Sequence, residues 1–208
     1  MRIILDFDHT LFDTPRLKRV VEGMFVKHGV SRELFLSTIE ESKGEGRDWK
    51  PERQFTILKS RGVPSVDSIR DDFAKVLHES HVFLYEDTLP FLEKVSRGNS
   101  LALLTYGEDS FQSVKLEGCT SAVKYFEKVV ITQNIYKDKE ANDLSGGAKS
   151  LFVDDNPTAL SATKKYAPHI VTVRIKRGEG RYENEPSSGG IDYEVKELGE
   201  VEDLISHL

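Results

Sequence analysis

The sequence predicts an α/β protein, a doubly wound parallel sheet of Rossmann type interrupted by an all-helical insertion. Three observations lead there. Short, continuous apolar runs recur at residues 2–7, 101–105, 128–132, 150–153 and 169–175, the pattern of strands buried on both faces. Helical spacing fills the gaps between the later runs, and that alternation implies right-handed crossovers. Residues 15–80 break the rhythm, with apolar residues at helical intervals and no strand run.

The first run, Ile3, Ile4, Leu5 and Phe7, is bounded by polar residues. In the helical stretch, Leu17, Val20, Val21, Met24 and Phe25 mark one helix, and Leu34, Phe35, Thr38 and Ile39 a second. Pro51 can open a third with Phe55 and Leu58, and Val66, Ile69, Phe73, Val76 and Leu77 form the clearest stripe. Ser31 and Ser65 are placed as N-caps. Residues 1–14 and 81–208 then make the core, and 15–80 are long enough for a small helical cap. Beyond it, Asp87 can cap a helix carrying Leu89, Phe91, Leu92 and Val95, with Pro90 tolerated in the first turn. Residues 108–117 and 157–166 give two more helices. A Gly, Glu and Ser-rich loop at 178–190 precedes a short strand at 192–195 and a last helix through Leu198, Val201, Leu204 and Ile205.

Composition removes several function classes. With 38% apolar and 31% charged residues in 208, the chain can bury a real core. Its apolar runs fall far short of the ~20 residues a membrane span needs, and acids at Asp6 and Asp8 argue against reading the start as a signal peptide. A single cysteine, Cys119, excludes an intrachain disulfide framework and a cysteine zinc cluster, and reads as a small buried apolar residue. A net charge of -6 disfavours a nucleic-acid backbone or an anionic membrane as partner. The expectation is a cytoplasmic protein, monomeric or weakly dimeric.

Four short clusters carry chemistry. Asp6-Phe7-Asp8-His9-Thr10 follows the first strand, where open α/β sheets place their ligands; alternation points Asp6 and Asp8 the same way. Leu151-Phe152-Val153-Asp154-Asp155-Asn156-Pro157 ends the fourth core strand. Its acids read either as an N-cap with a spare carboxylate or as half of a metal site. Two acidic clusters on neighbouring strand ends repel unless a hard cation lies between them, and oxygen-only ligands suit Mg²⁺. Leu103-Leu104-Thr105-Tyr106-Gly107 offers a hydroxyl and free backbone N–H groups to an anion. A lysine follows within Tyr136-Lys137-Asp138-Lys139-Glu140.

In this order, across residues 3–157, the clusters resemble the motifs of the haloacid dehalogenase (HAD) superfamily of phosphohydrolases. DFDHT matches its D-x-D-x-T start, LLTYG its hydrophobic run ending in Thr, KDK its lysine and VDDNP its acidic terminus. The helical insertion lies where that superfamily carries a type-1 cap, and Tyr85-Glu86-Asp87-Thr88-Leu89-Pro90 looks like its re-entry into the core.

The resemblance implies a Mg²⁺-dependent phosphatase acting on a small phosphorylated metabolite, with a phosphotransferase or mutase as the neighbouring alternative and a non-catalytic binding domain as the distant one. Asp6 becomes the nucleophile that forms an aspartyl-phosphate. Asp8 becomes the general acid and then the base, a role that asks for a raised pKa. The metal takes Asp6, the backbone carbonyl of Asp8, and Asp155, with Asp154 behind. Thr105 binds a phosphoryl oxygen, with Tyr106 and Gly107 beside it. For the lysine, Lys139, opening a short helix, is preferred over Lys137. His9 is weighed as catalytic and set aside, because that motif position tolerates many residues. Substrate selection is expected from the loop between the second and third cap helices, through Arg47 or Trp49.

Overall fold

The computed structural model describes residues 1–44, 48–187 and 189–208. Its strands are β1 (Arg2–Leu5), β2 (Ser100–Tyr106), β3 (Lys128–Thr132), β4 (Ser150–Asp154), β5 (Ile170–Ile175) and β6 (Tyr193–Val195). They form one all-parallel sheet in the order β3-β2-β1-β4-β5-β6. Alternation sorts the central strands onto two cores. Ile3, Leu5, Leu101, Leu103, Leu151 and Val153 join one apolar cluster, while Ile4, Ala102, Leu104 and Phe152 join the other. Full burial of each such side chain contributes about 1.5–3 kcal/mol.

Between β1 and β2 run four consecutive helices, α1 (Thr14–Lys27), α2 (Arg32–Ser42), α3 (Pro51–Ser60) and α4 (Val66–His78), then a 3-10 turn at Ser80–Phe83. The predicted stripe of α4 is realised, with Val66, Ile69, Phe73 and Leu77 buried. Val20 on α1 is exposed, off the face that buries Leu17, Val21, Met24 and Phe25. Ser31 caps α2 by accepting from the Leu34 N–H at 3.1 Å. Ser65 holds the N-cap position without capping: its hydroxyl donates to the His28 carbonyl at 2.9 Å, tying the start of α4 to the end of α1.

The remaining helices are α5 (Thr88–Val95), α6 (Asp109–Glu117), α7 (Thr120–Val123), α8 (Asp138–Ser145), α9 (Pro157–Tyr166) and α10 (Leu198–His207). Buried residues of α8 and α9 pack on the second core; those of α5, α6, α7 and α10 pack on the first, together with the inserted helices. Asp87 precedes α5 but caps nothing there. Its carboxylate instead accepts from Arg177 and from the Leu198 N–H, binding α5 to the start of α10.

Contacts at both ends of α6 join it to the insertion. Trp49 and Phe73 lie 5.3 and 6.0 Å from the ring of Phe111 on α6. At the other end of α6, a Cβ on Gly118 would stand 2.3 Å from the Leu77 carbonyl oxygen, so only glycine lets the helix approach α4 there.

The topology fixes where ligands can bind. β1 sits between β2 and β4, and the chain winds away from it in both directions, which opens a crevice at the carboxyl ends of β1 and β4. Leu5 is in register with Val153, so the next residues, Asp6 and Asp154, become neighbours.

Candidate active site

Asp6 and Asp154 are both buried, and one ammonium bridges them. Lys137 Nζ donates to Asp6 Oδ1 at 2.5 Å and to Asp154 Oδ2 at 2.8 Å. Asp154 Oδ1 also accepts from the Asn156 N–H at 2.8 Å. The acid pair does not cap the following helix. That task falls to Asn156, whose side chain accepts from the Thr158 N–H at 2.9 Å, and Asp155 is left facing the same space. Oxygens of Asp6, Asp154 and Asp155 lie within 4.8 Å of one another, and the Asp155 carboxylate has no hydrogen-bond partner among the described residues.

The lysine that reaches these carboxylates is Lys137, and the preferred candidate, Lys139, does not. Lys137 stands at the N-cap of α8 with φ +55°, a left-handed conformation that costs a non-glycine residue about 1–2 kcal/mol. That conformation delivers the buried side chain to the carboxylates, while Lys139, already inside the helix, is exposed.

Three carboxylates face one ammonium, and the protonation states register the excess. Burial, with the charge of Asp154 added, pushes the Asp6 carboxyl up to about 7 against the pull of Lys137. Burial and the charges of Asp154 and Asp6 push Asp155 well above the carboxylate range. Burial would lower the Lys137 ammonium, but Asp154 and Asp6 outweigh it and hold it above the usual lysine value. Each like-charged pair at such spacing repels by about 4 kcal/mol at an intermediate dielectric. A hard divalent cation is the natural complement to a donor set made only of oxygen, and these residues fit Mg²⁺.

Asp8 lies in a different environment. Lys115 on α6 donates to its Oδ1 at 2.6 Å, Gln112 to Oδ2 at 2.8 Å, and the Thr14 hydroxyl to Oδ1. Lys115 is only 1% exposed, with its ammonium 5.3, 4.8 and 5.2 Å from the rings of Phe7, Phe12 and Phe111. Burial alone would raise the Asp8 carboxyl, as its expected role as an acid requires. Lys115, with the hydrogen bonds from Thr14 and Gln112, overcomes burial and holds it well below the usual range. The expected elevation is therefore reversed, and the Asp8 side chain stands outside the three-carboxylate group.

Thr105 is fully buried, and its hydroxyl has no hydrogen-bond partner among the described residues. Gly107 adopts φ +152°, and a Cβ there would meet the Gln112 side chain at 2.7 Å. Its N–H is not free for an anion, as the sequence suggested, but donates to the Thr132 carbonyl at 3.2 Å. The Tyr106 hydroxyl reaches Asp48 at 3.4 Å. His9, at φ +60°, packs its ring against Gly180, and burial lowers it to about 4, leaving it neutral at pH 7.

These groups open into a cavity of about 390 Å³. Leu17, Leu36, Ile39, Trp49 and Phe111 supply its apolar wall. The Trp49 N–H is committed to Gln54 at 2.8 Å, so toward the cavity Trp49 offers only ring surface. Arg47 lies outside the described residues. Sequence reasoning passed over Lys115, Gln112, Lys18, Arg181 and Tyr182, all of which line the cavity. Lys115 did leave a signal: Gln112, Lys115, Leu116 and Cys119 recur at helical spacing and are buried together.

No protein-family model and no curated protein matches the sequence. Solved structures do match the fold. A protein of Burkholderia xenovorans described as a haloacid dehalogenase-like hydrolase superposes with a TM-score of 0.76 at 17% identity, covering 96% of each chain. The HAD hydrolase YfnB of Bacillus subtilis, solved with magnesium, gives 0.68 at 14% identity over 98% of this chain and 97% of its own. The L-2-haloacid dehalogenase of Xanthobacter autotrophicus gives 0.65 at 16% identity over 100% and 98%. The architecture is that of the haloacid dehalogenase-like hydrolases.

Proposed function

We propose that this chain is a Mg²⁺-dependent phosphohydrolase of the haloacid dehalogenase superfamily, acting on a small phosphorylated metabolite beneath its helical cap. The observation that carries this reading is the buried group in which Lys137 joins Asp6 to Asp154, with Asp155 alongside and a second acid, Asp8, two residues beyond Asp6. Fold neighbours include a dehalogenase as well as a magnesium-bound hydrolase. Asp8 favours phosphate esters, because by resemblance the superfamily's dehalogenases place another residue there.

Asp6 attacks phosphorus, the ester P–O bond breaks, and the alcohol departs with a proton from Asp8. Water then attacks the aspartyl-phosphate, Asp8 takes its proton, and inorganic phosphate leaves a restored Asp6. The ionised state that Lys115 imposes on Asp8 suits the second step; the first needs the incoming phosphate, with about two negative charges, to offset Lys115. Lys137 holds Asp6 in line and places positive charge beside the transferred group, and the unpartnered Thr105 hydroxyl donates to a phosphoryl oxygen. The carboxylates of Asp6 and Asp155 and the Asp8 backbone carbonyl would hold Mg²⁺, with Asp154 behind them orienting Lys137. When bound, the ion neutralises phosphate charge in the ground and transition states.

The experiment is hydrolysis of p-nitrophenyl phosphate with Mg²⁺, with EDTA, and in Asp6→Asn. Turnover that needs Mg²⁺ and falls by at least about 10³-fold in the variant supports the assignment. Activity surviving in Asp6→Asn, or chloride release from 2-chloropropionate in place of phosphate release, overturns it.

A further inference from the structure

The cavity wall holds cations that a phosphate at Asp6 and Lys137 does not use. Besides Asp6, Asp8, Asp154 and Asp155, the wall includes the acids Glu40, Asp48 and Glu108, each with a hydrogen-bond or ion-pair partner of its own. Glu40 pairs with Lys43. Asp48 accepts from the Tyr106 hydroxyl at 3.4 Å, and its other oxygen is buried without a hydrogen-bond partner among the described residues. Glu108 caps α6 and accepts from Ser110. Two exposed cations on the same wall, Lys18 and Arg181, have no acid within ion-pair distance among the described residues. Desolvation lowers the Lys18 ammonium; Asp8 acts against that shift, while Lys43, Lys115 and Arg181 add to it.

Their placement is built into the fold. Arg181 belongs to the loop after β5, and Arg174, 0% exposed, anchors that loop from below. Its guanidinium donates to the carbonyls of Tyr182 at 2.6 Å and Glu185 at 2.9 Å and to the Ser187 hydroxyl at 2.8 Å. Arg19, the neighbour of Lys18, pairs with Glu179 of the same loop at 2.8 Å, which brings α1 and the loop together. Two cations so placed, neither with an ion-pair partner among the described residues, form a site for an anion. The apolar wall of Leu17, Leu36, Ile39, Trp49 and Phe111 shares the cavity with both the carboxylates and this pair.

We propose that Lys18 and Arg181 form a second anion subsite, so that the substrate is a phosphate ester whose apolar body carries another negative group, a carboxylate or a second phosphate. This rests on the phosphohydrolase reading above. The test uses three aryl phosphates whose parent phenols are of similar acidity: 4-ethylphenyl phosphate, 4-(carboxymethyl)phenyl phosphate and 4-(phosphonomethyl)phenyl phosphate. The ratio of kcat/KM for a charged probe to that for the ethyl probe is measured in each protein. In the wild type at least one charged probe should be favoured tenfold or more, and the better of the two identifies the anion. In Lys18→Met/Arg181→Met the ratio should fall to within about twofold of one, while Lys18→Arg should keep the preference. Turnover without preference, or a preference that survives the double substitution, overturns the subsite alone. Absence of turnover with all three probes in the wild type overturns the phosphohydrolase reading and the subsite with it.

Discussion

Two buried lysine–aspartate arrangements lie within a few residues of each other in this molecule, and they drive their acids in opposite directions. Lys137 serves Asp6 and Asp154 with Asp155 beside them, and Asp6 is raised to about 7. Lys115 serves Asp8 alone, with Thr14 and Gln112 adding donors, and Asp8 is held low. Burial works the same way on both acids. The balance of charge decides the outcome: three carboxylates to one ammonium leaves negative charge that a cation can answer, while one to one leaves none. The first arrangement is therefore suited to collecting a metal and a phosphoryl group, the second to keeping a single carboxylate ionised and fixed.

The largest effect expected from breaking this contrast is at Lys137. Lys137→Met should lower kcat/KM on p-nitrophenyl phosphate by about 10³-fold, whereas Lys139→Ala should stay within about twofold; equal losses from the two would contradict the placement of the lysine. Lys115→Met should reduce kcat by about 10–100-fold, since it releases Asp8 from its fixed position. It should also destabilise the protein by about 1–3 kcal/mol, because it takes the ion-pair partner from a half-buried carboxylate that keeps Gln112 and Thr14 as donors. Adding Asp8→Asn to Lys115→Met should recover part of that stability in urea unfolding, and a double variant less stable than the single would break the one-to-one description.

The smallest effect is a linkage between metal and pH. Because the folded-state value of Asp6 is raised from 3.8 to about 7, its neutral form stabilises the metal-free protein at low pH. That contribution is lost as pH rises through about 7. Mg²⁺ should therefore raise Tm more at pH 8 than at pH 6. His9, lowered to about 4, affects the curves with and without metal alike and cancels in their difference. An equal Mg²⁺ shift at the two pH values would mean that the carboxylates do not carry the excess charge.

The central strands were legible because they are buried on both faces, so each appears as a nearly uninterrupted apolar run such as Leu101 to Leu104. The acids were legible because each pair directly follows such a run. Which lysine reaches the carboxylates was not legible: helical position is the visible cue and favours Lys139, while the left-handed turn that brings Lys137 there belongs to the backbone and leaves no residue signature of its own. The same holds for Asp87 and Ser65, which occupy cap positions but bond to distant chain segments. Lys115 was readable from its place in a buried stripe and was passed over because a lysine is ordinarily solvated. Arg181 could not be read at all, since its loop is held by distant partners, Arg174 on β5 and Arg19 on α1.

The chain's one tryptophan, Trp49, sits edge-on to Phe73 and Phe111, where the inserted helices meet α6 and the cavity begins. Indole emission responds to the polarity around the ring, so this residue is a native optical probe at the seam between the inserted helices and α6. Loosening that seam would wet the indole and redden its spectrum, and occupancy of the cavity would shift it the other way. Ligand titrations can thus be followed in the unlabelled protein, with Phe111→Leu as the control that loosens the same seam.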